Sequence, residues 1–88
     1  MQKLEKDYSR HRNTDELEKM VFRDFPQLNT GYALVYYMYE DDYVTIYIGT
    51  KAELEAQAVA IYQEGSLTDH MELKFYENGQ EKQPKVSY

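Results

Sequence analysis

The chain has 88 residues, a formal net charge of −6, ten tyrosines, and neither cysteine nor tryptophan. That length supports one small core. The missing cysteines exclude a disulfide scaffold, a thiolate metal centre and a cysteine nucleophile. The acidic balance argues against a general nucleic-acid binder, which needs positive charge to displace counterions from phosphate.

Residues 1–12 set Lys3, Lys6, Arg10 and Arg12 against Glu5 and Asp7, a local charge of +2. Residues 13–88 carry six basic and fourteen acidic side chains, a charge of −8. The expected organisation is a basic N-terminal arm or helix extension at 1–12, followed by a single domain at 13–88. Charged residues throughout the first segment argue against a secretory signal. The longest apolar run, Tyr32 to Tyr39, is too short to cross a bilayer as a helix. The expected location is cytoplasmic, with no membrane partner.

A first helix is expected from Thr14, whose hydroxyl suits an N-cap, with Asp15 and Glu16 at the positive end of the dipole. Leu17, Met20, Val21 and Phe25 form its apolar stripe, and Pro26 ends it. Tyr32–Tyr39 and Tyr43–Ile48 read as a β-hairpin around Glu40-Asp41-Asp42. Thr50-Lys51-Ala52-Glu53 is a capping box, and a second helix follows to Gln63, with Leu54, Ala58, Ile61 and Tyr62 as its core-facing stripe and Gly65 beyond it. Met71 to Glu77 alternates like a half-buried strand, and Asn78-Gly79 turns it into a polar edge strand at 80–87 carrying Pro84. The expected fold class is α+β in the order α-β-β-α-β-β: a four-stranded antiparallel sheet with two helices packed on one face. An offset of 37 residues lays Glu16-Leu17-Glu18 on Glu53-Leu54-Glu55.

With Tyr39 set opposite Val44, alternation divides the first hairpin into two faces. Val35, Tyr37, Tyr39, Val44, Ile46 and Ile48 suit a core. The opposite face carries Leu34, Tyr36, Met38, Tyr43, Thr45 and Tyr47, which is too apolar for water alone. The outer face of the second hairpin, with Glu72, Lys74 and Tyr76 against Glu81, reads as solvated. Three occupants compete for the first face: another segment of this chain, a second copy forming a homodimer, or another protein. Tyrosine and methionine are enriched at interface cores.

Catalytic chemistry has no constellation to rest on. His11 and His70 lie in different segments, and Asp41 and Asp42 lack the spacing of a calcium loop. Ser9, Ser66 and Ser87 sit in no strained elbow, and no glycine-rich phosphate loop exists. No metal or cofactor is expected, and no enzyme activity. Residues 34–57, LVYYMYEDDYVTIYIGTKAELEAQ, resemble the core of the GIY-YIG nuclease family. Val35-Tyr36 stands for the first motif and Tyr47-Ile48-Gly49 for the second. Leu34 replaces the motif's glycine, and Gln57 stands where the family has its catalytic arginine. The resemblance implies a nuclease-like hairpin without nuclease activity.

The expected function is a small non-catalytic module that binds another protein through an acidic, tyrosine-rich hairpin: Leu34, Tyr36, Met38, Glu40, Asp41, Asp42, Tyr43 and Tyr47. The expected partner has a basic surface. The composition is similar to that of phage and mobile-element inhibitors, including anti-CRISPR and anti-restriction DNA mimics. The alternatives are a structural homodimer, or a nucleic-acid module stacking bases on Tyr36, Tyr43 and Tyr47 with Arg10, His11 and Arg12 on phosphates.

Overall fold

A computed structural model of the chain describes residues 1–8, 14–40, 42–65 and 71–82. The elements are β1 (Gln2–Asp7), α1 (Thr14–Asp24), a 3-10 turn (Pro26–Asn29), β2 (Tyr32–Met38), β3 (Tyr43–Gly49), α2 (Lys51–Gln63), β4 (Met71–Glu77) and β5 (Gln80–Lys82). The class is α+β. The sheet has five antiparallel strands in the order β1-β3-β2-β4-β5. This corrects the expected four strands, because residues 2–7 pair with β3 as an edge strand and are not a helix extension. Residues 9–13 and 83–88, with the expected arginine cluster and Pro84, lie outside the described residues, as does His70.

The expected turns and caps have physical counterparts. Thr50 Oγ1 accepts from the Glu53 N–H at 3.2 Å, and Glu53 Oε1 accepts from the Thr50 N–H at 2.9 Å, closing the capping box. Asn78 and Gly79 have φ of 51° and 82°, the left-handed pair that a two-residue hairpin turn requires. That turn is anchored where Asn78 donates its N–H to the Gly31 carbonyl and accepts the Gly31 N–H on Oδ1, both at 2.8 Å.

The helices do not share a face, contrary to the expectation. β1 and β2 run parallel with β3 between them, and β3 and β4 run parallel with β2 between them. The two β-α-β crossovers step the same way across the sheet, but their strands run in opposite directions. Such crossovers overwhelmingly share one hand, so their helices must fall on opposite faces. On one face Leu17 and Val21 of α1, with Leu28 of the 3-10 turn, pack against Val35, Tyr37, Val44, Ile46 and Tyr76. On the other, Leu54, Ala58 and Ile61 of α2 pack against Leu34, Tyr47 and Phe75. Each such aliphatic side chain contributes about 1.5–3 kcal/mol through burial.

Tyr76, expected on a solvated face, is 1 % exposed. Its ring meets Phe22 edge-on at 4.9 Å, and its hydroxyl lies 2.9 Å from that of Tyr37. Burial holds both phenols above their ordinary pKa. Removing either hydroxyl leaves the other without its partner in the core. We therefore expect Tyr37→Phe and Tyr76→Phe each to cost about 1–3 kcal/mol in urea unfolding, and the double variant less than their sum.

Candidate interaction surface

Pairing converts the strands into transverse rows, because directly opposed residues share a face. On the α2 face one row runs Lys3–Tyr47–Leu34–Phe75–Lys82, the next Glu5–Thr45–Tyr36–Leu73, and the last Asp7–Tyr43–Met38–Met71. The sequence register set Tyr39 against Val44. The observed partner of Val44 is Tyr37. The shift is two residues, so every face assignment in the hairpin survives.

α2 closes over the first of these rows. Leu34 is completely buried and Tyr47 is 9 % exposed. Both belong to the second core. Tyr36 is half-buried against the same cluster and donates its hydroxyl to Met71 Sδ at 3.1 Å. Met38 and Tyr43 are half-buried in the last row, Asp42 is half-buried, and Glu40 is exposed. Asp41 lies outside the described residues. Of the three tyrosines expected to stack on bases, Tyr47 is therefore covered, which leaves Tyr36 and Tyr43.

Two neighbours that hairpin reasoning missed complete this end of the sheet. β1 brings Glu5 and Asp7, and β4 brings Met71 and Glu72. Tyr43 donates its hydroxyl to Glu5 Oε2 at 2.8 Å, and Tyr39 donates to Glu72 Oε2 at 3.1 Å. The Tyr43 hydroxyl and then Lys3 hold the Glu5 carboxyl below its ordinary pKa, so it stays charged at neutral pH. In return Glu5 pushes the Tyr43 hydroxyl up. Burial, reinforced by Glu72, does the same to Tyr39. Tyr39 and Tyr43 are thus neutral donors to carboxylates. The Met71-Leu73-Phe75 alternation was the one available signal for β4. Its assignment to this face needed the long-range register.

The α1 face carries two ionic clusters. Lys74 reaches Glu18 at 2.8 Å and Glu72 and Glu81 at 3.5 Å, tying α1 to β4 and β5. Burial alone would lower its pKa, and these carboxylates outweigh it, so the ammonium is held well above its ordinary value. At the other side Asp24 ends α1, where the helix dipole disfavours a carboxylate. It is stabilised there by Lys6 at 2.8 Å, Tyr8 at 2.9 Å and Arg23 at 3.1 Å. Among the described residues no group of three or more His, Cys, Asp or Glu is arranged to hold a metal ion, and no helix is long and apolar enough to cross a membrane. No protein-family model, curated protein or solved structure matches the chain.

Hydrogen bonds from Lys6, Arg23 and Tyr8 hold the Asp24 carboxyl well below the usual carboxylate range. A carboxylate with a depressed folded-state pKa adds stability above its unfolded pKa, and that stability is lost as pH falls towards the folded value. The stability margin of the wild type over Asp24→Asn should therefore be constant near neutrality. It should shrink as pH drops below about 4, measured by urea unfolding across pH.

Proposed function

We propose that this chain is a non-catalytic protein-binding module that presents the hairpin end of its sheet to a basic surface on another protein. The observation that supports this reading is the row Asp7–Tyr43–Met38–Met71, next to Glu40 and Asp42 of the hairpin turn. Half-buried methionine and tyrosine supply adaptable apolar contact. The surrounding carboxylates supply complementarity to lysine and arginine and speed the encounter. Leu34 and Tyr47 support this end from beneath α2 and make no contact with a partner. Tyr36 sits at the boundary between support and surface.

The net charge of −6 suits an inhibitor that competes for a surface built to hold an acidic polymer. This is the mode of action of the DNA-mimic inhibitors whose composition the chain resembles. The carboxylates would occupy positions that phosphates otherwise take, and the rings would slow dissociation.

The test compares proteins retained from a lysate by the wild type with those retained by Met38→Ala/Asp42→Ala/Tyr43→Ala. A retained partner should bind the triple variant with at least about 2 kcal/mol less free energy, and Tyr43→Ala alone should cost about 1–2 kcal/mol. Raising the ionic strength from about 0.01 to 0.15 M should weaken the wild-type complex through its on-rate. Equal retention of the wild type and the triple variant would assign binding to another surface.

A further inference from the structure

We propose that two copies of this chain join edge to edge through β1, continuing the sheet across a two-fold axis that passes through Leu4. The inference shares Glu5 and Asp7 with the hairpin end but rests on a separate observation, the outer edge of β1 at one limit of the strand order.

β1 is the outermost strand, and its residues are exposed except Leu4, which is half-buried. Its outward hydrogen-bonding groups can be identified. Tyr8 donates its N–H to the Asp42 carbonyl at 2.6 Å, and this pair continues the β1–β3 register. Antiparallel strands alternate between residues that exchange both main-chain bonds and residues that exchange none. Gln2, Leu4 and Lys6 therefore turn their main-chain groups towards β3. Lys3, Glu5 and Asp7 turn theirs outwards, where no strand among the described residues meets them.

Self-pairing about a two-fold axis normal to the sheet is restricted. Opposed residues must share a face, so the register can shift only in steps of two. The register centred on Leu4 places Lys3 opposite Glu5 of the second copy, and Glu5 opposite Lys3. Lys3 and Glu5 are the residues whose main-chain groups point outwards, so each pair exchanges both of its hydrogen bonds. Leu4 meets Leu4 between them, on the α1 face, and Gln2 lies opposite Lys6. The neighbouring registers each carry a like-charge pair that this one lacks. One sets Glu5 against Glu5, with Lys3 opposite Asp7, and the other Lys3 against Lys3, and like charges directly opposed are destabilising.

Charge makes this the favoured edge. The strand QKLEKD has two lysines, one glutamate and one aspartate, so it is neutral in a chain of net −6. Two copies can approach here without net charge repulsion between the strands that meet. Charges on an edge strand usually block indiscriminate pairing. Here they favour the one register in which no like charges are opposed. Lys3 and Glu5 are already drawn together within one copy at 3.2 Å, so the dimer would extend an existing pair into an alternating cluster of four charges.

The geometry has a consequence for the assembly. The axis is normal to the sheet, so both α1 helices lie on one face and both α2 helices on the other. The two hairpin ends point in opposite directions.

The test is sedimentation equilibrium of the full chain at concentrations up to roughly 1 mM. The wild type should sediment at twice the chain mass of 10.5 kDa. Lys3→Glu and Glu5→Lys should each raise the dimer dissociation constant about tenfold or more, because each converts two cross-strand attractions into repulsions. The double variant Lys3→Glu/Glu5→Lys should restore it. Glu5→Pro removes an outward N–H without touching the β1–β3 ladder, and should also give a monomer with an unchanged far-UV spectrum. A wild type that stays monomeric overturns the proposal. So does a dimer whose affinity these variants leave unchanged, or one that the charge swap fails to restore.

Discussion

Strand β2 carries apolar side chains in both directions, and the layers above and below the sheet follow from that constraint. Ala33, Val35 and Tyr37 point to one side and Leu34 to the other, and all four are buried. A half-exposed strand would leave Leu34 in water, forgoing about 1.5–3 kcal/mol for that side chain alone. A helix on each face removes the conflict. The chain supplies the two helices through two crossovers whose strands run in opposite directions, so a common hand delivers one to each side. Leu34, Tyr36 and Tyr47, which look anomalous on a single-core view, belong to the floor of a second core.

The polar contacts reinforce this arrangement at its margins. Lys74 bridges α1 to the β4–β5 edge, Asp24 joins the end of α1 to β1, and Glu53 caps α2 while also receiving the amino group of Met1 at 3.2 Å. These pairs are partly exposed and individually worth little. Their common property is that each ties a helix to a strand or terminus at the margin of the sheet. They fix the helices laterally, while the cores fix them vertically.

Local signals were legible wherever a short segment carries its own pattern. The hairpin, the capping box at Thr50, the Asn78-Gly79 turn and both apolar stripes are of this kind. The register error of two residues at the hairpin did no harm, because side-chain direction has a period of two. β1 was not legible, since Gln2–Asp7 has one apolar residue among charges and reads equally well as coil or frayed helix. The face of β4 was not legible either. Met71, Leu73 and Phe75 announce a buried side, but only the pairing of Leu34 with Phe75 says which core they enter. Tyr76 misled because its ring suits water or core, and its hydroxyl partner Tyr37 lies 39 residues away. The same long-range pairing brings Asp7, Glu5, Met71 and Glu72 to the hairpin end, so the candidate surface was half visible from the hairpin alone.

The central claim is that the sheet is covered on both faces, and Leu34 tests it most directly. Leu34→Asp places a carboxylate beneath α2 with no partner, a cost of several kcal/mol against a total stability of about 5–15 kcal/mol for a domain of this kind. Urea unfolding of this variant should show either loss of the cooperative transition or a fall of at least about 3 kcal/mol. A midpoint within about 0.5 kcal/mol of the wild type is what a solvent-facing position gives, and would contradict the two-core account.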